Sequence, residues 1–168
     1  MTAVSPDVVG VAGAGSAPVF GLLGSPNAGK TTVFNALTGL RARVGNYPGV
    51  TVERREASLD LGGAEATLID LPGTYGLEPI SADEAVVGDV LAGRIPDVQQ
   101  PDALIVVADA CSLSRTLPFI GEALHLGRPV CVVLTMLDEL AARGGQLDLF
   151  RRAHEPRSEH GLSLRRPG

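Results

Sequence analysis

Eight consecutive residues, Gly24-Ser25-Pro26-Asn27-Ala28-Gly29-Lys30-Thr31, have the spacing G-x-x-x-x-G-K-[ST]. Glycines at both ends let backbone N–H groups turn inward around phosphate oxygens. A helix opening at the lysine adds the positive end of its dipole. Lys30, the only lysine of the chain, is then set to contact the β- and γ-phosphates of a nucleotide. The Thr31 hydroxyl is set to bind Mg2+, and Thr32 belongs to the same phosphate-binding turn. A second pattern lies in Thr67-Leu68-Ile69-Asp70-Leu71-Pro72-Gly73, an apolar run ending in D-x-x-G. Asp70 would hold Mg2+ through water and the Gly73 N–H would reach the γ-phosphate, with Leu71 and Pro72 carrying the chain between them. Between the two patterns lies Gly49-Val50-Thr51. A hydroxyl at Thr51 can complete the Mg2+ shell and order its loop only when a γ-phosphate is present, which is how a switch works. These features specify a nucleotide, but neither its base nor whether it is hydrolysed.

The elements that must position these residues follow from hydrophobic pattern. Val19 to Leu23 is a short apolar run closed by the glycine-rich turn, a buried strand. Lys30 to Leu40 follows as a helix, with Val33, Ala36, Leu37 and Leu40 expected on its apolar face. Arg41 to Gly49 has the Gly, Asn and Pro content of a loop. Val50 to Leu61 pairs with Ala64 to Ile69 as a hairpin across Gly62-Gly63. Ser81 with Glu84 three residues later is a capping box, opening a helix to about Leu91. Ala103 to Ala108 and Val130 to Leu134 are two more buried strands. Helices are expected over Ser114 to Leu126, stopped by Gly127, and from Asp138 to Arg143. Buried strands alternating with helices imply a parallel sheet covered on both faces; with the phosphate-binding turn, the expected fold is an α/β P-loop domain of about five mostly parallel strands, helices on both faces, in the order 2-3-1-4-5.

Composition bounds the rest. The 168 residues make one domain, and 45% hydrophobic against 20% charged residues is globular. The net charge of -5 speaks against unspecific nucleic-acid binding, which needs a basic surface. Two cysteines, Cys111 and Cys131, without CxxC spacing, exclude a disulfide-dense scaffold or a cysteine-based zinc site and fit a reducing compartment. The uncharged stretch from Val8 to Gly29 is interrupted by glycines and by Pro18 and Pro26, so it is not read as a membrane span. Residues 1–17 have the composition of a flexible leader. Residues 149–168 form a basic tail without apolar period, expected to be largely disordered. His125 near a helix end is expected in a surface or dipole role, and nothing is assigned to His154 and His160.

The longer strings resemble a specific family. Gly24-Ser-Pro-Asn-Ala-Gly-Lys-Thr-Thr-Val-Phe-Asn-Ala-Leu-Thr-Gly-Leu40, Val44-Gly-Asn-Tyr-Pro-Gly-Val-Thr-Val52, Asp70-Leu-Pro-Gly-Thr-Tyr75 and Ser81-x-Asp-Glu84 are similar to the N-terminal G domain of FeoB, the bacterial ferrous-iron transporter. The resemblance covers residues 18–148 and implies a Ras-like G domain binding GTP and GDP with Mg2+. It implies slow hydrolysis coupled to Fe2+ uptake through a membrane domain or another transporter component. It would place the chain in the cytoplasm, or at the cytoplasmic face of the inner membrane. The residues expected to act in catalysis are Asn27, Lys30, Thr51 and Gly73, with Thr31, Thr51 and Asp70 on Mg2+. Thr74 stands where Ras-like enzymes carry a water-orienting glutamine. The resemblance instead implies a K+ ion held with the help of Asn27, supplying charge beside the phosphates. Asp83 and Glu84 are a helix start first, and a conceivable Fe2+-sensing pair.

Two departures bear on base recognition. Where the family carries N-x-x-D to read guanine, this chain has Thr135-Met136-Leu137-Asp138. Asp138 can accept two hydrogen bonds from the guanine ring, or serve simply as a helix N-terminal acid; losing the asparagine's bond costs roughly 0.5–1.5 kcal/mol. A further strand and a small base-reading loop have no counterpart after about Asp148, so a truncated or frameshifted frame, or a gene fragment, is expected. Val130 to Leu134 would then be an uncovered edge and an aggregation liability. A GTP-hydrolysing FeoB-type domain is the leading reading. The alternatives are a nucleotide-binding remnant or regulatory module without useful turnover, and a P-loop NTPase without guanine preference.

Overall fold

The computed structural model describes residues 17–77, 81–147 and 164–165. A central sheet of six strands has the order β2-β3-β4-β1-β5-β6. The strands are β1 (Val19–Gly24), β2 (Arg43–Asn46), β3 (Glu53–Asp60), β4 (Glu65–Asp70), β5 (Ala103–Asp109) and β6 (Val130–Thr135). β1 runs parallel to β4 and β5, and β5 parallel to β6, while β2 and β3 add antiparallel strands at one side. The helices are α1 (Lys30–Thr38), α2 (Ala82–Leu91), α3 (Leu113–His125) and the short α4 (Leu137–Ala142). The expected five-strand order is present, extended outward by β2.

Side-chain alternation along the strands explains the layers. In β5, Leu104, Val106 and Ala108 join one core with α2 and α3, while Val107 joins the other beneath α1. β1 divides likewise, with Val19 and Leu23 on the α2/α3 side and Leu22 on the α1 side. Strands buried on both faces read as continuous apolar runs, which is why they are legible. The hairpin turn is fixed by Asp60, whose Oδ1 accepts from the N–H groups of Gly62 and Gly63, each at 2.9 Å. Both glycines have positive φ, 81° and 107°, conformations L side chains rarely adopt.

Three expectations need correction. The supposed loop 41–49 contains β2, bonded to β3 from Arg43–Glu56 to Asn46–Glu53. All four β2 residues are exposed, so backbone bonds alone hold it and no hydrophobic pattern betrays it. The hairpin strand starts at Glu53, leaving Thr51 in the preceding turn. The buried residues of α1 are Phe34 and Thr38, not Leu37 and Leu40, which are 47% and 76% exposed. Gly39 in the left-handed region ends α1 before Leu40, and the large Phe34 ring takes the core position. Within the tail, Leu164–Arg165 forms β8, paired with β7 (Gln146–Leu147); the rest of the tail, like residues 1–16, lies outside the described residues.

Among the described residues, no strand lies beyond β6, whose Cys131 and Val132 are exposed. Beside it, the α1 face of the sheet opens into an apolar groove of about 620 Å3 between Phe20, Val33, Leu37, Ile105, Cys131 and Val133. No described helix is long and apolar enough to cross a membrane.

Candidate functional site

The turn from β1 to α1 is shaped by backbone conformation. Asn27 (φ 66°) and Gly29 (φ 82°) both lie in the left-handed region. The Ala28 N–H donates to the Ser25 carbonyl at 3.2 Å, and the Val33 N–H returns to the Gly29 carbonyl at 3.0 Å, starting α1. The loop thus wraps the N-terminus of a nine-residue helix, where unpaired N–H groups and the helix dipole favour an anion. Thr31 and Thr32 are exposed at that end.

Two distant segments converge on this turn. Lys30 Nζ is paired with Asp70 Oδ1, from the end of β4. Parallel pairing of β1 with β4 brings them together: the Leu71 N–H donates to the Leu22 carbonyl (3.1 Å), and the Thr74 N–H to the Gly24 carbonyl (3.2 Å). Gly73 packs against Pro26 so closely that a Cβ there would lie 3.3 Å from Pro26 Cγ. From β6, the Thr135 hydroxyl donates to the Ala28 carbonyl at 2.7 Å. The structure therefore brings the D-x-x-G segment and the Thr135 turn against the turn between β1 and α1.

Other expected residues are placed less tightly. Gly49, Val50 and Thr51 are exposed, and their turn closes on itself through Val50 N–H to Tyr47 carbonyl (3.3 Å) and Tyr47 N–H to Val52 carbonyl (3.0 Å). Asp138 lies in the first turn of α4, exposed and without a hydrogen-bond or ion-pair partner among the described residues. Met136, left-handed at φ 56°, and Leu137 are exposed beside it. Thr74 is fully buried. Its hydroxyl contacts the Gly76 carbonyl and Glu84 Oε1 (3.3 Å), so it faces the protein rather than an attacking water. Glu84 also donates its backbone N–H to Ser81 Oγ at 3.2 Å, the expected cap of α2. No group of three or more His, Cys, Asp or Glu residues suited to a metal occurs among the described residues.

Two residues lay beyond sequence reasoning. Tyr47 is buried (1% exposed), its hydroxyl 3.4 Å from the Asp70 carbonyl. Burial pushes its phenol pKa well above the ordinary value, with the Asp70 charge adding to the rise. Arg115 of α3 lines a cavity of about 250 Å3 against Ser25, Pro26, Asn27 and Tyr75. Neither residue stands in a periodic pattern that marks such a role. The larger apolar groove beside β6 holds none of the expected phosphate-site residues.

The family model for ferrous iron transport protein B matches residues 19–154. The chain belongs to the FeoB N-terminal G-domain family. Against the Fe(2+) transporter FeoB of Leptospira biflexa, this FeoB-type chain is 44% identical over 133 residues, 79% of its own length and 19% of the relative's. It thus spans about a fifth of the length of that curated relative. The crystal structure of the G domain of the T. maritima FeoB iron transporter is 38% identical, with a TM-score of 0.66 over 75% of this chain and 76% of that one. A GDP form of the cytosolic domain of T. maritima FeoB matches at 38% identity and a TM-score of 0.72, covering 79% of this chain and 50% of that one. The six-stranded FeoB fold accounts for the placement of Lys30, Asp70 and Gly73.

Proposed function

We propose that this FeoB-type domain binds GTP and GDP with Mg2+ and hydrolyses GTP slowly to GDP and phosphate. Convergence of Asp70, Gly73 and Thr135 on the P-loop turn is the observation that carries this reading. The turn fits a polyphosphate, with left-handed residues wrapping a helix N-terminus and the chain's single lysine at its edge. Thr31, Thr51 and Asp70 are hard oxygen donors, the type Mg2+ takes alongside phosphate oxygens. Lys30 is expected to turn from Asp70 to the phosphates. The Gly73 N–H would approach the γ-phosphate, and Asp138 would read the guanine ring. Asn27, at the exposed rim of the turn, would help hold K+, supplying positive charge beside the phosphates. As a domain of a longer transporter assembly it would work at the cytoplasmic face, its nucleotide state governing Fe2+ passage through a membrane domain; residues 18–148 would form the working unit.

A second reading, nucleotide binding without useful turnover, is favoured by one observation: Thr74 is buried and turned inward, so the position after D-x-x-G offers nothing to orient water. Titration with GDP and ADP, followed by phosphate release from GTP in K+ and in Na+, tests both. The expected result is GDP binding roughly tenfold or more tighter than ADP, the size of one or two hydrogen bonds to a carboxylate, with release faster in K+. Equal affinities would overturn the guanine assignment. Retained GDP binding with no release in either salt would leave the second reading standing.

A further inference from the structure

We infer that Thr135 is a tether for the P-loop rather than a reader of the base, which leaves purine recognition on this side of the pocket to Asp138 alone. The inference rests on the nucleotide-binding reading above. The Thr135 hydroxyl lies 2.7 Å from the Ala28 carbonyl and 3.3 Å from the Ala108 carbonyl. Both neighbours are acceptors, and a hydroxyl carries one proton. That proton is therefore committed inside the protein, across 107 residues of sequence. The same side chain fills the space over Gly29, where a Cβ would stand 3.4 Å from Thr135 Cγ2. Thr135 thus fixes the carbonyl of one P-loop residue and packs on the next, at the point where the loop enters α1.

With its proton spent, Thr135 has only lone pairs to offer. Guanine and adenine both present N7 as an acceptor, and Thr135 has no donor for it. An asparagine here would carry two amide hydrogens, enough for a tether and a base contact together. Asp138 is different: it is exposed, and none of the described residues hydrogen-bonds or ion-pairs with it. The turn between them is held from the other side by the Cys111 Sγ–H, which donates to the Met136 carbonyl at 3.7 Å. The 135–138 turn is thereby fixed at Thr135 and Met136, with the Asp138 carboxylate left for the ring N–H and amino groups that guanine has and adenine lacks.

The test compares GDP, 7-deaza-GDP and ADP on the full chain and on the Thr135→Val, Thr135→Ser and Asp138→Ala variants. Wild type should bind GDP and 7-deaza-GDP alike, within about twofold, because N7 receives no proton from Thr135. Thr135→Val should weaken GDP and ADP by the same factor, roughly 3- to 10-fold for one hydrogen bond, leaving their ratio unchanged. Thr135→Ser, which keeps the hydroxyl, should recover most of that loss. Asp138→Ala should bring GDP down to the ADP level. A fivefold or larger preference of wild type for GDP over 7-deaza-GDP, lost in Thr135→Val, would overturn the inference. So would a GDP/ADP ratio that shifts in Thr135→Val. If wild type binds no purine diphosphate, the nucleotide reading falls, and the tether is judged by amide exchange at Ala28 to Thr31. Faster exchange in Thr135→Val, restored in Thr135→Ser, upholds it, and unchanged exchange overturns it.

Discussion

At the scale of single residues, Lys30 and Asp70 neutralise each other where each is mostly buried, 14% and 12% exposed. The pairing matters because a half-buried ammonium without a counter-charge is costly. A phosphate would supply the same negative charge to Lys30 and free Asp70 for a metal. Asp70→Asn should therefore destabilise the nucleotide-free protein by on the order of 1–2 kcal/mol after allowing for partial exposure, and lower its melting temperature. On the proposed function it should also abolish the Mg2+-dependent part of the stabilisation expected from GTP. Thermal melts with GTP, with and without Mg2+, check this; an Mg2+ response equal to wild type would remove Asp70 from the metal site. Both residues were legible because lysine and aspartate in these motifs have few other uses. The partner of Thr135 was not, since nothing in the sequence says that a threonine hydroxyl will meet a carbonyl 107 residues away.

At the scale of elements, the Thr51 turn is anchored by a buried aromatic ring. Tyr47 sits in the core shared with α2 and α3, and its backbone closes the turn that carries Thr51. Movement confined to residues 48–51 leaves that anchor in place; a larger excursion must withdraw the ring from the core. Tyr47→Ala should cost about 3–5 kcal/mol, as for other buried aromatic truncations, while Tyr47→Phe should cost under about 1 kcal/mol because its hydroxyl bond is long. The phenol also gives a pH signature. Its folded pKa is raised, so the unfolded chain loses the proton first; stability from this group is intact below about pH 10 and falls as the pH rises above it. Urea melts between pH 8 and 11 should show Tyr47→Phe losing less stability than wild type across that range. Equal slopes would mean that the buried phenol is not linked to folding. The sequence marked Tyr47 only as part of a motif, and missed β2 because a strand held by backbone bonds alone leaves no pattern.

At the scale of the whole molecule, the sheet is covered on one face by α2 and α3 and on the other by α1, but α1 does not reach β6. Among the described residues no strand pairs with the outer side of β6, and Cys131 and Val132 are exposed there beside an apolar groove, a site for self-association. The protein should scatter light increasingly above tens of micromolar, and Leu37→Glu or Val132→Lys should suppress this by several-fold without lowering the melting temperature by more than about 1 kcal/mol equivalent. Unchanged scattering in both variants would clear this edge of the association. Among the described residues β6 ends this side of the sheet; the groove was not legible, since its walls come from α1, β1, β5 and β6 together.

The sequence by itself determined the P-loop, the D-x-x-G segment, the places of the five main strands along the chain and the family. These depend on local spacing and on apolar runs, which survive without knowledge of partners. Only the tertiary structure decided that α1 buries Phe34 and Thr38, that Tyr47 pins the Thr51 turn, that Thr74 faces inward, and that Thr135 spends its proton on Ala28. Each of those outcomes depends on which atoms meet across the sheet, and such meetings are fixed by packing and register between segments far apart in the chain.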